Sequence, residues 1–360
     1  MGVPRRLFAA ALLLALAACA TTPPPPPPAP VRHHPVQHRP PPPAPVAALP
    51  GPARPVAWSD LPGWAGEDHQ AALVALAAAC RVRGGPYAAA CRDLARDRPV
   101  GDADARRFFE RWFSLEALAD EGLLTAYYTP VYDARRSADP PFTAPVRPAP
   151  ADPVLAAEDR AAINAAPSGD ALAWMKPEDL FFLQVQGSGV LQMDDGGRLK
   201  AIYAASNGKT FVPIGRVMRE KGILDDRRTS AQGISDWLAN HRGDEAEALM
   251  DQDPRYVFFR LLPDDGRPPQ GAVGINLPPG RAVAADPAFH PMGELVWIDA
   301  ADPRLEGAGK GYRRIVAALD VGSAIKAPAR ADLYVGLGAD AGREAGLVRH
   351  RLIVYRLTAK

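Results

Sequence analysis

The sequence predicts a mainly β fold with helices at its periphery, and three observations support that prediction. Short runs rich in β-branched and aromatic residues recur from residue 123 onward, which is typical of strands. Helical spacing of apolar residues is confined to the segment before residue 114 and to stretches near residues 214 and 234. No repeat of roughly 20 to 50 residues is evident, which argues against a solenoid or a propeller.

Composition places the chain among globular proteins. Its 360 residues are 47% hydrophobic and 23% charged, which excludes a wholly disordered, collagen-like or multi-span membrane protein. The 42 basic residues are matched by 41 acidic ones, without a long run of either sign. Because nucleic-acid binders usually concentrate Lys and Arg on the binding domain, this balance argues against a nucleic-acid partner.

The beginning of the chain has the pattern of an export signal. Two arginines precede an apolar run over residues 7–18, which is shorter than the ~20 residues of a membrane-spanning helix. The run ends in small residues before Cys19 and so resembles the lipobox of bacterial lipoproteins. We therefore predict a lipoprotein signal peptide over residues 1–18 and a lipid anchor on Cys19. Because Ala20 rather than Asp follows, we expect attachment at the periplasmic face of the outer membrane. An ordinary signal with a chance cysteine is the alternative.

Residues 19–56 are predicted to be a proline-rich linker. Sixteen of the 40 prolines lie between Pro23 and Val56, which favours an extended polyproline-II spacer that holds a folded domain away from the membrane. Three histidines in this stretch suggest a metal-binding tract. They have no Cys or carboxylate partner nearby, so a solvated spacer is the favoured interpretation.

Three helices are predicted at the start of the folded region. Apolar residues at helical spacing lead up to Cys80 in the first helix and surround Cys91 in the second, with a Gly-Gly-Pro turn between them. The two thiols therefore lie on the buried faces of a helical hairpin, where either a disulfide or two reduced core cysteines fit the pattern. The third helix follows Asp102 and Asp104, which favour a helix N-terminus.

Strands are predicted to dominate the remaining chain, and two further helices interrupt them near Ile214 and Ile234. About 300 residues follow the linker, which is near the upper limit for one core and favours two domains. The predicted strands cover residues 123–129, 180–186, 199–203, 257–262, 294–298, 314–320, 331–337 and 351–357.

Three acidic residues lie at the ends of apolar strands or within them: Asp286, Asp320 and Asp332. Burial of an ionised carboxylate costs several kcal/mol unless it is paired or hydrogen-bonded, so a function is one explanation. Turn chemistry is the other, because Asp commonly bonds backbone N–H groups where a strand ends. The period of two predicts that Asp332, Tyr334 and Gly336 share one face of their strand.

These acids belong to a series of ten short segments: residues 122–130 (GLLTAYYTP), 185–189 (VQGSG), 207–209 (NGK), 214–215, 253–254, 256–259, 284–287, 291–293, 319–326 (LDVGSAIK) and 331–334 (ADLY). As a set, these segments resemble the domain named for three aspartates and, within that group, the membrane-bound lytic murein transglycosylase A family, whose order they keep. The family often has Gly where Ala126, Ser323 and Ala327 stand here, and the loop before Asp332 is slightly longer.

The resemblance implies a double-psi β-barrel. Two chain segments, residues 57–130 and 268–360, would form the barrel domain together with the N-terminal helices. Residues 131–267 would form a smaller inserted β domain. A long groove would cross the junction, which is a common place for a ligand site.

The resemblance also implies a reaction. Enzymes of the family cleave the β-1,4 bond between N-acetylmuramic acid and N-acetylglucosamine in peptidoglycan and close a 1,6-anhydro ring, so the C6 hydroxyl of the substrate replaces a second enzyme group. Asp332 would then act first as the acid and then as the base. This role requires a raised pKa, from an apolar wall or from the charge of Asp320. Whether Asp320 and Asp286 are functional or only fix loops stays open.

Groups that hold the glycan are predicted beside these acids. Tyrosines would stack on sugar faces, and hydroxyl or amide groups would bond sugar substituents, with ordinary packing as the alternative. Gln184 and Gln186 are expected on one face of a strand. No cofactor and no metal are expected, and the partners are glycan strands and, through the lipid, a membrane; we expect a monomer. The candidate substrate-binding residues are Tyr127, Tyr128, Thr129, Gln186, Ser188, Asn207, Lys209 and Asp286.

Three rival functions fit parts of the pattern. Three acids with His290 suggest a Mg²⁺ or Ca²⁺ site, although no Asp-rich loop of regular spacing supports it. The segment from Asp320 loosely resembles an aspartic peptidase turn, but no second copy is present. A lipoprotein that binds the cell wall without cutting it is the third, and only Asp332 argues against that reading.

Overall fold

A computed structural model describes residues 53–118, 121–225, 228–300 and 312–360. The predicted signal peptide, the predicted lipidation site Cys19 and nearly all of the predicted linker lie outside these ranges. The last three linker residues, Arg54–Val56, form strand β1. Within the described ranges, no helix combines the length and the apolar character needed to cross a membrane.

The described chain begins with helices, continues with strands and short helices, and ends with strands. The helices are α1 (His69–Ala79), α2 (Ala88–Arg96), α3 (Asp102–Trp112), α4 (Pro153–Ala157), α5 (Arg160–Ala165), α6 (Pro177–Gln186), α7 (Ile214–Glu220), α8 (Ala231–Asn240), α9 (Asp244–Met250) and α10 (Gly338–Leu347). The strands after β1 are β2 (Phe113–Ala117), β3 (Gly122–Thr129), β4 (Val131–Ala134), β5 (Ala144–Val146), β6 (Ala173–Met175), β7 (Ser188–Met193), β8 (Arg198–Ser206), β9 (Val257–Pro263), β10 (Ala282–Ala285), β11 (Leu295–Ala300), β12 (Tyr312–Asp320), β13 (Arg330–Leu337) and β14 (Arg349–Ala359).

Six strands close into a barrel, which confirms the prediction of a mainly β fold. They pair in the order β14, β11, β12, β10, β13 and β3, and β3 pairs again with β14. Two of these pairs are parallel, β10 with β12 and β13 with β3. Strands β1 and β2 extend the sheet beyond β14.

Alternation along the barrel strands separates two apolar faces. All six strands contribute to one buried cluster that contains no residue of α1, α2 or α3, and we call it the interior cluster because helices pack on the outside of a closed barrel. The other face is covered by α1, α2 and α3 and is called the outer cluster. Members of the interior cluster include Leu124, Val283, Val296, Ile298, Val316, Ala331, Leu333, Leu352 and Val354. Barrel residues of the outer cluster are Ala282, Leu295, Trp297, Ile315, Ala317, Leu319, Tyr334 and Leu357.

The N-terminal helices are joined by a disulfide between Cys80 and Cys91, whose Cα atoms are 5.5 Å apart. Of the two interpretations left open by the sequence, the structure has the oxidised pair. Helix α1 packs against β12, so the hairpin is fixed to the barrel wall.

A second sheet contains β4, β7, β8 and β9 in that order, and β5 pairs with β6 beside it. Its strands lie between Val131 and Pro263. Helix α6 and this sheet enclose an apolar core of their own, which includes Leu183, Leu191 and Phe259.

Two expectations about local structure are wrong. Residues 180–186, predicted as a strand, belong to α6, which has a proline in its first turn, acids at Glu178 and Asp179, and Gly187 in a left-handed conformation at its end. A short continuous apolar run fits a buried helix as well as a strand, and these end signals decide the outcome. In β13, a bulge at Val335 moves Gly336 off the face that Asp332 and Tyr334 share.

Gly122 is required where β3 begins, and its replacement tests the barrel closure. A Cβ at this position would lie 1.7 Å from the carbonyl oxygen of Ala329. We expect Gly122→Ala to lower the free energy of unfolding by about 2 kcal/mol or more, measured by urea denaturation. Gly346→Ala is the control, because no atom lies within 4 Å of its added methyl group. It should leave stability unchanged or raise it by up to about 1 kcal/mol. Equal midpoints for the two variants would contradict the packing described for β3.

Candidate active site on the outer face of the barrel

Four residues on adjacent strands form a lateral row across the barrel wall. Asp332 on β13 pairs with Thr125 on β3 and with Ala284 on β10, and Ala284 also pairs with Asp320 on β12. Directly paired residues project from the same face of a sheet. The structure therefore brings Asp320 and Asp332 together, as expected, and adds Thr125 beside them.

This row lies on the outer face of the barrel. Tyr127 and Tyr334, each two residues beyond a member of the row, pack at or in the outer cluster, with their ring centroids 5.4 Å apart. A spacing of two residues keeps a strand position on the same face. Asp332, Asp320 and Thr125 are half-buried rather than sealed inside the barrel.

Asp332 has an environment suited to a proton donor. Burial raises the pKa of its carboxyl group, the Thr125 hydroxyl and the charge of Arg330 oppose this, and the charge of Asp320 adds to it. Both expected causes of a raised pKa are present, and burial is the larger. One oxygen, Oδ1, accepts a hydrogen bond from Thr125. Within the described chain Oδ2 accepts none, and it is not closed off from solvent.

Asp320 differs from Asp332 because its oxygens are occupied. Oδ2 accepts the Tyr127 hydroxyl at 2.8 Å, and Oδ1 accepts the backbone N–H groups of Ala272 and Val321 at 3.0 Å each. Burial raises the pKa of Asp320, and these three donors oppose the rise. The side chain thus connects β12 to β3 and to the segment before β10. This geometry favours a loop-fixing and electrostatic role over proton transfer.

Asp286 and His290 hold the loop that connects β12 to β13. The Asp286 carboxylate accepts the N–H groups of Ala288 and Ala327, and Lys326 lies 3.7 Å from it. The His290 ring contacts Glu294 through Nδ1 and the Pro328 carbonyl through Nε2, both at 2.7 Å. Asp286 is only 5% exposed, so its side chain serves this loop rather than a ligand surface.

The predicted aromatic and hydroxyl ligands divide between the two faces of β3. Tyr127 and Thr129 lie on the outer face with the row, and Thr129 shares a 3.0 Å hydrogen bond with the hydroxyl of Tyr334. Tyr128 projects from the opposite face, with its ring against Gly342 of α10. The Tyr127 hydroxyl donates a hydrogen bond to Asp320, so Tyr127 helps to fix the position of that acid.

Ser188 lines a small cavity where the ends of β3 and β13 meet the second sheet. Asp332 does not line it, but Thr129 does, and Thr129 is four residues, roughly 13 Å, from Thr125 along β3. The cavity lies next to Thr129, Ser188, Gly189, Val190, Lys200, Ala201, Ile202, Arg267, Pro269 and Leu337.

The remaining predicted ligands are less favourably placed. Gln186 lies in the last turn of α6, so the expected strand face shared with Gln184 does not exist. Asn207 is buried, and its amide bonds the backbone of Glu158, Pro254 and Tyr256 at 2.7 to 2.9 Å. It holds a loop together and has no group left for a sugar. Lys209, whose N–H donates to Asn207, belongs to that loop.

Thr125 and Arg330 are site residues that the sequence analysis missed. The Arg330 guanidinium donates to the Thr125 hydroxyl at 2.9 Å, and Thr125 in turn contacts Asp332. Strand periodicity is the available signal, because residues two apart share a face: Thr125 lies on the same face as Tyr127, and Arg330 on the same face as Asp332. In the described part of the chain, no three His, Cys, Asp or Glu side chains are grouped to hold a metal ion.

Comparisons with known proteins agree with this architecture. The family model described as the MltA specific insert domain matches residues 123–260, and the 3D domain model matches residues 281–358. The chain is 34% identical to membrane-bound lytic murein transglycosylase A of Escherichia coli K12, over 67% of this chain and 68% of the relative. It is 32% identical to the protein of that name from Vibrio cholerae, over 65% of each chain, which is just under two thirds.

Solved structures are similar over most of the chain. The membrane-bound lytic murein transglycosylase from Agrobacterium tumefaciens superimposes with a TM-score of 0.74 and 30% identity, over 86% of this chain and 98% of that one. MltA from Neisseria gonorrhoeae gives 0.74 and 26%, over 88% and 96%. E. coli MltA with bound chitohexaose gives 0.69 and 25%, over 88% and 95%.

Ala327 provides a test of the loop that connects the two acids. Its φ of 130° is a conformation that glycine adopts without strain and alanine does not. We expect Ala327→Gly to raise the free energy of unfolding by about 1 kcal/mol in urea denaturation. Ala324→Gly, an exposed position of the same loop without a positive φ, should instead lower it by up to about 1 kcal/mol. Destabilisation by both changes would contradict the strain at Ala327.

Proposed function

Because the chain belongs to the membrane-bound lytic murein transglycosylase A family, we propose that it cleaves the β-1,4 bond between N-acetylmuramic acid and N-acetylglucosamine in peptidoglycan and leaves a 1,6-anhydro ring. Asp332 is the single acid and base of this reaction. The observation that carries the proposal is a half-buried carboxyl group with a raised pKa whose Oδ2 meets solvent on the outer face of the barrel.

One carboxyl group suffices because the substrate supplies the nucleophile. An ordinary glycosidase needs a second carboxylate to attack the sugar or to activate water. Here the C6 hydroxyl is tethered to the reacting ring, so proximity replaces that second group. The occupied oxygens of Asp320 agree with this division, since only one of the two acids in the row can exchange a proton freely.

The reaction has two proton transfers through the same side chain. Protonated Asp332 gives its proton to the glycosidic oxygen as the bond from C1 breaks. The resulting carboxylate then takes the proton of the C6 hydroxyl as that oxygen bonds to C1. No water is consumed, and Asp332 ends the cycle protonated. A pKa raised by burial keeps the acid form available at the start.

The glycan groove runs along the outer face from the row toward the cavity at Ser188. Half-buried Tyr127 borders this path, whereas Tyr334 and Thr129, which are 1% and 2% exposed, lie beneath it. The cavity adds the Ser188 hydroxyl, which has no hydrogen-bond partner in the described chain. We assign residues 131–267 to the inserted domain and the barrel to the double-psi class. The binding of chitohexaose by the E. coli relative supports a glycan groove in the family.

The proposed location rests on the lipobox-like sequence before Cys19. We infer a lipid anchor on Cys19, a proline-rich spacer and a monomeric catalytic domain at the periplasmic face of the outer membrane. The relatives are called membrane-bound, which supports the anchor.

Asp332→Asn tests the assignment of the acid. The amide cannot give and recover the proton, so release of anhydro-muropeptides from purified sacculi should fall by at least a thousandfold, as measured by mass spectrometry. Asp340→Asn, at a 91% exposed side chain, is the control and should retain full activity. With the wild-type protein, reducing ends instead of anhydro ends would identify a hydrolase, and bound but intact glycan would identify a pure binder.

The stability of Asp332→Asn separates loss of chemistry from loss of folding. A folded-state pKa above the ordinary 3.8 means that ionisation costs stability, a cost that is absent below pH 3.8 and complete above the raised value. At neutral pH the amide removes that cost, so the variant should melt at or above the wild-type temperature. A clearly lower melting temperature would show that Asp332 is needed for folding and not only for catalysis.

Ser188→Ala tests the path of the groove. In the Asp332→Asn background, which prevents turnover, we expect the Kd for chitohexaose to rise about threefold to tenfold through loss of one hydrogen bond. Ser59→Ala, at an exposed serine in the short 3-10 helix Trp58–Asp60 that precedes α1, is the matched control. Equal affinity in both variants would remove Ser188 from the glycan site.

A further inference from the structure

Three side chains form a directed chain of hydrogen bonds that ends on the candidate acid. Arg330 Nη2 donates to Thr125 Oγ1 at 2.9 Å, and Thr125 Oγ1 contacts Asp332 Oδ1. A guanidinium group has donors and no acceptor, so the Thr125 oxygen must accept from Arg330. The single hydroxyl proton of Thr125 is thereby directed to Asp332 Oδ1.

The first member of this chain is fixed by the backbone of both strands. Arg330 Nη1 donates to the carbonyl oxygens of Ala331 at 2.6 Å and Leu123 at 3.3 Å. Arg330 pairs with Leu123 in the parallel ladder between β13 and β3, as Asp332 pairs with Thr125. The guanidinium therefore bridges the same two strands that carry the hydroxyl and the acid. The pairing of β13 with β3 thus fixes the position of Arg330, which can only donate to Thr125.

This arrangement makes the two oxygens of Asp332 unequal. Oδ1 accepts from Thr125, whereas Oδ2 has no hydrogen bond within the described chain and meets solvent. We propose that Arg330 and Thr125 are positioning residues. They hold Oδ1 of Asp332 in a hydrogen bond, so that Oδ2 is the atom that exchanges the proton with the glycan. This inference rests on the proposed function and adds the identity of the reacting atom.

The proton balance of the cycle is then defined atom by atom. The proton on Oδ2 passes to the glycosidic oxygen while the C1–oxygen bond breaks, and Oδ2 is left ionised. Oδ2 next takes the proton of the C6 hydroxyl while the new C1–oxygen bond forms. Oδ1 keeps its bond to Thr125 throughout, so the carboxyl group does not rotate between the two transfers.

Charges around Asp332 act in opposite directions. Arg330 and the Thr125 hydroxyl favour the ionised form, whereas burial and Asp320 favour the protonated form. Burial and the positive charge of Arg349, which lies on β14 and pairs with Thr125 of β3, lower the pKa of Arg330. The Tyr127 hydroxyl is bonded to Asp320. Without Thr125 and Arg330 the proton would be held more tightly, which would impair the first transfer, in which Asp332 must release it to the glycosidic oxygen.

Substitution of the hydroxyl, read by two independent measurements, tests this proposal. Thr125→Val removes the hydroxyl at nearly constant volume, and Thr125→Ser keeps it. The titration of Asp332 is followed by carboxyl ¹³C NMR, with Asp332→Asn identifying the resonance. The kcat/KM for glycan cleavage is measured across the same pH range.

We expect Thr125→Val to titrate Asp332 at a higher pH than the wild type and to lower kcat/KM about tenfold, through loss of one hydrogen bond to a charged group. Thr125→Ser should stay within about twofold of the wild type in rate and should titrate like it. Arg330→Met should move the titration in the same direction as Thr125→Val, because it removes both the charge and the donor that orients Thr125.

Either of two results would overturn the inference. One is a wild-type titration of Asp332 in Thr125→Val, and the other is equal impairment of Thr125→Ser and Thr125→Val, which would mean that packing matters and the hydroxyl does not. The NMR titration needs no turnover, so it stands apart from the activity assay. Anhydro products from Asp332→Asn would instead overturn the assignment of the acid and, with it, this inference.

Discussion

The site depends on the lateral register of four strands. The parallel pairing of β13 with β3 sets Asp332 opposite Thr125, and β10 brings Asp320 into the same row. A slip of one residue would turn Asp332 toward the interior cluster and place Ala331 or Leu333 on the outer face, because side chains alternate with a period of two. Closure of the barrel prevents that slip, since β3 is held by β13 on one edge and by β14 on the other. The chemistry of the site is therefore a consequence of how the barrel closes.

Two partly buried carboxyl groups in one row destabilise the folded state when they ionise. The surrounding hydrogen bonds offset this cost more for Asp320 than for Asp332. Asp320 receives three donors, a tyrosine hydroxyl and two backbone N–H groups, which stabilise its charge and oppose the rise in its pKa caused by burial. Asp332 receives one donor, and burial leaves its pKa raised. Burial destabilises the ionised side chain and also makes it a competent acid, which is the usual conflict between stability and activity at such sites. The connection between the two acids is fixed by Asp286 and His290, so the strain at Ala327 is held by contacts outside the row.

Much of this arrangement could be predicted from the sequence, and the failures have identifiable causes. The acids and the strands that carry them follow from local pattern and family resemblance, and the proximity of the two cysteines follows from helical periodicity, although not their oxidation. Residues 180–186 were assigned the wrong conformation because a continuous apolar run lacks a diagnostic period, and α6 is defined by its ends. The bulge at Val335 leaves no mark in composition, so the face of Gly336 could not be predicted. Asn207 resembles a ligand in its motif, yet its amide is bonded to four backbone groups. Thr125 and Arg330 were missed because pairing between strands about 200 residues apart is a tertiary property.

The central claim is that one acid of the row passes a proton out and back while the sugar provides the attacking hydroxyl. Digestion of purified sacculi in water enriched in heavy oxygen tests this most directly, with the muramoyl ends analysed by mass spectrometry. The account predicts anhydro ends that carry no heavy oxygen, because no water enters the product. Muramoyl ends that incorporate one heavy oxygen atom during cleavage would contradict it.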